Sequence, residues 1–287
     1  MITVEQIVHI TRILEHIEAN LGHHGTYMEI AQMVPVSTTK LWCLFKEITG
    51  ESYDNYIIRV KMELAYRILH AEPSLLIQLI AVLLGYGYSG SFSTAFNKAF
   101  GILPSHARFL KQKPVTRHIN PDFESDIRFG GICEMADRFV VYRRVFKGYT
   151  PEKIRSNFCS LSTCVMQDNL EVCQSIGVIH DDPDYTPHNK CRYDVCFSIN
   201  TAFTKPRRLY NSKWIKGGTY ACYHFSGKEE ELHAAWNYIT RNWQDGNEYM
   251  IDITPRLEIF SKHFNNNRDR FHATLYLPVK KKKRLKS

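Results

Sequence analysis

Residues 77–108 read IQLIAVLLGYGYSGSFSTAFNKAFGILPSHAR, and their spacing decides the front of the fold. A short apolar helix over Ile77 to Leu84 meets the break Gly85-Tyr86-Gly87. A second helix follows, with Ser89 in the role of N-cap and Phe92 and Phe96 on one face at i and i+4. Gly101 stands where a left-handed residue closes a helix. Two helices joined by a tight turn form a helix-turn-helix unit.

The same pattern stands earlier: Leu41, Phe45 and Gly50 lie 51 residues before Phe92, Phe96 and Gly101, and Ala31 lies 50 before Ala81. Here the first helix runs Met28 to Met33, the break is Val34-Pro35-Val36, and Ser37 is the N-cap candidate. Tyr56, Val60, Leu64 and Ile68 give a long connecting helix, and Ile7, Ile10, Leu14, Ile17 and Leu21 a leading one. A single short helix pair is ordinary in a helical bundle. Two of matched spacing on a stiff connector predict a pair of second helices about one DNA turn apart, ~34 Å.

Ile80-Ala81, Gly85-Tyr86, Ser91-Phe92, Phe96, Phe100-Gly101, Pro104-Ser105 and Arg108 resemble the signature of the AraC/XylS family of transcription regulators. Ser37, Leu41, Phe45-Lys46, Gly50, Tyr56-Ile57 and Ala65 are similar to the first half of the same domain, and the likeness covers about residues 5–112. Lys61 stands where that family usually has Arg, and Asn97 where Lys is common. The resemblance implies base-reading surfaces at Thr39, Trp42 and Cys43 and at Ser89, Gly90 and Thr94, with Lys40, Lys46 and Lys98 placed for phosphates. None of the six base-reading candidates has a long side chain that reads guanine or adenine with two hydrogen bonds. A weakly discriminating second half-site, read by DNA shape, is therefore expected. Partial burial is the competing expectation for Trp42.

A second repeat lies further on. Strands Arg138 to Phe146 and Thr219 to Phe225 each run into a turn with Gly, at Gly148 and Gly227. Helices follow with apolar positions Ile154, Phe158, Leu161, Val165 and Leu232, Trp236, Ile239, Trp243, in intervals of four, three and four. Two strand candidates come after each helix: 171–178 with 193–199, then 257–261 with 272–278. Arg192-Tyr193-Asp194, Gly217-Gly218-Thr219-Tyr220-Ala221, Gly227, Ala235-Trp236, Trp243, Pro255-Arg256-Leu257-Glu258-Ile259 and Tyr276-Leu277-Pro278 resemble the gyrase-inhibitor-like effector-binding family. The chain is expected to be multidomain. An all-α tandem helix-turn-helix domain spans 1–112 and a linker 113–126. An α+β domain with duplicated strand-helix-strand-strand units spans 127–279, and a basic tail 280–287. Two halves facing each other leave a cleft, a common ligand position.

In that cleft the resemblance places Glu258, an acid on the strand after a Pro, flanked by Leu257 and Ile259. Tyr149, Trp214, Tyr220 and Trp236 are the aromatic wall candidates around a hydrophobic or cationic ligand. The plainer expectations are a structural carboxylate paired with Arg143 and a core Trp236. His180-Asp181-Asp182-Pro183-Asp184 reads as a turn, and Asn265-Asn266-Asn267 as a hairpin loop.

The bulk properties bound the rest. Of the net charge of +8, the tail Lys280, Lys281, Lys282, Lys283, Arg284 and Lys286 supplies six, so charge alone does not argue for DNA. The eight cysteines have no C-x2-C pair, and without a secretion signal the thiols are expected to stay reduced. No metal, cofactor, catalytic group or membrane partner is expected, and the location expected is the cytoplasm. The partners expected are double-stranded promoter DNA, RNA polymerase and a small-molecule effector. A hydrolase or a protein-interaction module in place of the effector domain is the alternative.

Overall fold

The structure is a computed structural model and describes residues 2–23, 25–110, 127–200, 202–203, 207–243, 248–260 and 271–282. The 113–126 linker, Asn265, Asn266 and Asn267, and the tail beyond Lys282 lie outside the described residues. Two compact units emerge: Met1–Lys111 with Pro183–Lys190, and Gln112–Asp182 with Cys191–Ser287.

The first unit is helical. α1 (Val4–Ala19) starts on a capping box in which Thr3 and Gln6 exchange bonds, and it buries Ile10, Ile13, Leu14 and Ile17. α2 (Tyr27–Gln32) starts on a second box between Thr26 and Glu29. After it come α3 (Thr38–Thr49), α4 (Tyr53–Ala71), α5 (Ile77–Leu83), α6 (Ser89–Phe100) and the one-turn α7 (Pro104–Ala107). Both expected glycine stops are present, with Gly50 at φ 77° and Gly101 at φ 71°. The expected cap at Ser89 is corrected: Ser89 is already helical, Tyr88 occupies the N-cap position, and the Ser91 hydroxyl donates to the Tyr88 carbonyl at 2.9 Å. Ser37 does sit at the N-cap of α3, yet its side chain accepts no cap bond.

α4 is the spacer between the two helix pairs. Arg59 on it forks to Glu51 and Glu63, at 2.6 and 2.9 Å. Further along, Tyr66 packs on Phe96 and Phe100 of α6. Arg108 donates to the carbonyls of Pro73 and Leu75 at 2.8 and 2.9 Å, tying the end of the motif to the loop before α5. Gly85, at φ 75°, lies against the carbonyl of Gly22, so the chain just past α1 touches the turn of the second pair directly.

The second unit is a single curled sheet with two helices. Its strands are β1 (Ile127–Met135), β2 (Arg138–Val145), β3 (Val172–Ile179), β4 (Tyr193–Ile199) and β5 (Asn211–Ile215). β6 (Gly218–Gly227), β7 (Tyr249–Ile251), β8 (Arg256–Phe260) and β9 (Phe271–Lys281) complete it. The order is β1-β6-β9-β8-β3-β4-β2-β5, and β7 pairs with β9 off that path. The repeat is therefore present, with α8 (Pro151–Gln167) after β2 and α9 (Leu232–Asn242) after β6. The two halves continue one sheet, with β3 and β8 paired side by side.

The strand ahead of each repeat crosses over. β1 precedes β2 in the chain but pairs with β6, and β5 precedes β6 but pairs with β2. Because β1 and β2 are joined only by Ala136 and Asp137, opposite ends of the strand order must come together, and the sheet curls. Asp137 fastens that corner by accepting from the Gly217 N–H and the Lys216 ammonium, both at 2.8 Å. The curl buries Val140, Tyr142, Ile176, Val178, Leu257 and Ile259 inside it, while the other face carries α8 and α9 over Val141, Val195, Phe197, Leu275 and Leu277.

Two expectations change here. Cys133 and Cys222 form a disulfide, against the expectation of reduced thiols. They are 89 residues apart and meet only because β1 pairs with β6, at a Cα separation of 6.7 Å that suits a bridge. The Asp-Pro turn stands at 183–185 as expected, but the two acids ahead of it are buried: Asp181 accepts from Arg192 Nε at 2.7 Å, and Asp182 pairs with Arg256.

Candidate functional site

On the first unit, Thr38, Thr39, Lys40, Cys43, Lys46 and Glu47 make the exposed face of α3, opposite buried Leu41, Leu44, Phe45 and Ile48. On α6, Gly90, Thr94, Asn97 and Lys98 are exposed opposite Phe92 and Phe96. Neither second helix is buried in the interior. Lys40, Lys46 and Lys98 reach solvent as expected, and Ser89 is only half-buried at the start of α6. Thr94 donates its hydroxyl to the carbonyl of Gly90 at 3.0 Å, which leaves Asn97 and Lys98 as the polar side chains exposed beside it. For Trp42 the competing expectation of partial burial holds as well. It is half-buried, with ring centroids of Tyr27 and Tyr53 at 4.9 and 5.0 Å and of Phe45 at 6.3 Å.

On the second unit, Glu258 is 2% exposed on β8, on the side that carries the helices. The Tyr193 hydroxyl of β4 donates to one carboxylate oxygen at 2.6 Å, and the Trp236 indole N–H of α9 to the other at 2.8 Å. Tyr149 packs against Tyr193 at a tilt of 42° with 5.0 Å between centroids, and the Arg256 guanidinium lies 5.7 Å from the Trp236 ring. Between β4 and β8, strand β3 presents Gly177, where any side chain would collide with the Tyr193 hydroxyl and the carboxylate.

Burial pushes the Glu258 carboxyl up to about 7, even though both hydrogen bonds favour the ionised form. Burial also holds the Tyr193 and Tyr149 phenols well above their ordinary range, so both act as neutral donors. At neutral pH the site is a carboxyl poised to lose its proton among three aromatic rings.

Of the five expected pocket residues, Glu258, Trp236 and Tyr149 come together, Tyr149 through Tyr193. Trp214 and Tyr220 do not. Trp214 is on edge strand β5, four strands from β8, about 19 Å at ~4.8 Å per strand. Tyr220 points into the curl, packed among the apolar side chains of the opposite face. The pairing of Glu258 with Arg143 is also corrected, since that guanidinium binds the Leu209 carbonyl and the Ser160 hydroxyl at 2.9 and 2.7 Å. Sequence alone assigns Tyr193 no role and gives no signal for Gly177. A Tyr between Arg192 and Asp194 on a strand was the available signal for the first.

Residues 132–280 match the family described as the GyrI-like small molecule binding domain, and residues 30–109 match a helix-turn-helix domain. The XylDLEGF operon transcriptional activator of Pseudomonas putida is 32% identical over 97 residues, 33% of this chain and 30% of that protein. The DNA gyrase inhibitor of Citrobacter koseri is 26% identical over 135 residues, 45% of this chain and 84% of that protein. A solved EcmrR–DNA complex overlays with a TM-score of 0.47 at 16% identity, covering 54% of this chain and 58% of that one. The chain spans about a third of the length of the transcription-regulator relatives it matches.

Proposed function

The chain belongs to the GyrI-like small-molecule-binding family and carries an AraC-type helix-turn-helix domain, and from that premise we propose a DNA-binding transcription regulator that senses a small molecule. The observation that carries the DNA reading is the paired exposure of α3 and α6, each closed by a left-handed glycine and joined through α4. The 19 residues of α4 span about 28 Å at ~1.5 Å per residue, close to one DNA turn. Lys40 and Lys46 on α3 and Lys98 on α6 contact phosphates, while Thr39, Cys43, Gly90 and Thr94 lie against the grooves. Trp42 positions α3 from the aromatic cluster behind it. RNA polymerase is the partner through which bound regulator acts on transcription.

The effector reading rests on Glu258. A cation entering between Tyr149, Trp236 and Tyr193 is drawn by ring faces and by a carboxylate it helps to ionise. Entry requires Tyr193 and Trp236 to give up their bonds to that carboxylate, so the effector favours an opened state over the closed one.

Two experiments test these readings. Oligonucleotide selection with the full chain identifies a bound sequence. Lys46→Ala and Lys98→Ala then weaken binding on all sequences alike, and each lowers the salt slope by about one. Unchanged slopes would remove the phosphate assignment. For the effector, calorimetry in buffers of differing ionisation enthalpy reads proton release. An organic cation bound at Glu258 releases close to one proton at pH 6 and almost none above pH 8, and its affinity rises with pH up to about 7. Release independent of pH would place the ligand elsewhere.

A further inference from the structure

Away from Glu258, the second unit holds a cavity of about 430 Å³ between the β1–β6 edge, the end of α9 and β7. Phe129, Tyr223, Trp243 and Tyr249 line it with rings, Ile132 lies beside them, and Glu248 is its acidic group among the described residues. The volume is within the usual range for small-molecule pockets.

Strand β1 is shaped to form one wall. Regular alternation would send Phe129 and Ile132, three residues apart, to opposite faces. A bulge intervenes. The register passes from Phe129 opposite Tyr223 to Gly131 opposite Cys222 and Ile132 opposite Ala221, with Gly131 at φ 112°. The extra residue restores parity, so Phe129 and Ile132 share the face of Tyr223. A side chain at Gly130 would press on the His224 ring at 2.8 Å. The outcome is apolar surface that the described chain leaves open, with Phe129 57% exposed.

The electrostatics select a cation. Ring faces are negative, and the C-terminal end of α9 carries partial negative charge at Trp243. Glu248 is fixed by its carbonyl, which accepts from the Lys282 N–H at 2.8 Å, and its carboxylate has no ion pair among the described residues. Among the described residues the buried Trp243 indole N–H has no hydrogen-bond partner. Lys281, the cross-strand partner of Tyr249, stands with its ammonium 6.0 Å from that ring, so a guest cation competes with it for that face.

We propose that this cavity is a second small-molecule site, for an organic monocation bearing an aromatic or branched alkyl group, with its charge near Glu248. It does not rest on the Glu258 reading. Trp236 and Trp243 are seven residues apart along α9, about 10 Å, so the two sites share a helix without sharing a lining residue.

The test is calorimetric titration of the full chain with benzyltrimethylammonium, with benzyl alcohol as the neutral comparison. Saturable binding of the cation is expected, with benzyl alcohol much weaker. Glu248→Gln and Phe129→Ala, both at exposed side chains whose loss leaves the core intact, should each weaken the cation by roughly two- to thirty-fold. In Glu258→Gln the binding event that Glu248→Gln weakens should persist, whether or not a second event at Glu258 is lost. The proposal is overturned by equal binding of the alcohol, by indifference to both cavity substitutions, by the absence of saturable binding at millimolar cation, or by loss in Glu258→Gln alone.

Discussion

Glu258 couples the protein's stability to pH in a direction opposite to that of most surface carboxylates. Its carboxyl stands at about 7 in the fold against an ordinary value of 4.5, so between those values the native state holds a proton that the unfolded chain has lost. The contribution to stability therefore falls as pH rises from about 4.5 to 7 and is flat beyond. Glu258→Gln removes that penalty. Denaturant unfolding should show the variant gaining on the parent across this window, by up to about 3 kcal/mol above pH 7, with no change in the gap below pH 4.5. A gap that stays constant with pH would mean that the carboxyl titrates normally. At this scale the sequence was a partial guide. Glu258 and Trp236 were legible because an acid in an apolar strand and an aromatic on a helix stripe are each conspicuous. Tyr193 and Gly177 were not, because their roles come from neighbouring strands whose pairing no local pattern reveals.

Helices and strands separate along the same line. Gly85 shows how an element boundary is fixed by a contact from outside the motif. Its positive φ is one reason for glycine, and the Gly22 carbonyl against its missing side chain is another. Gly85→Ala should cost at least about 1–3 kcal/mol in thermal or denaturant unfolding and reduce DNA binding by shifting α5 and α6 against α1. Gly87→Ala, with open space around it, is the control and should change stability by less than about 0.5 kcal/mol. The helices of the first unit were readable from period and caps because each is a local structure of 3.6-residue repeat. Among strands, β2, β3, β4, β6, β8 and β9 were readable from alternation and flanking turns. β1, β5 and β7 were missed for physical reasons. β1 is largely exposed and broken by its bulge, so alternation fails there, and β5 and β7 are only five and three residues long.

On the scale of the molecule, the buried ion network inside the curl matters as much as the apolar core. Burial alone would raise the Asp194 carboxyl, but Arg144, Lys213 and His180 hold it well below the ordinary range, the first at 2.7 Å. Asp194→Asn leaves two cations in that interior with their counterion gone. It should destabilise the second unit by about 3–5 kcal/mol by chemical denaturation, with a loss under 1 kcal/mol as the result that contradicts this. These groups come from β2, β3–β4 and β5, so the network forms only once distant segments have met. The same dependence follows from the exchanged leading strands. Each repeat lends its first strand to the other, so neither is a complete folding body, and duplication has produced a clasp whose two sides close together. Residues 127–203 and 207–282, made as separate polypeptides in one cell, should co-purify as a stoichiometric pair, while each made alone should aggregate. A soluble, cooperatively melting single fragment would show that the lent strand is dispensable.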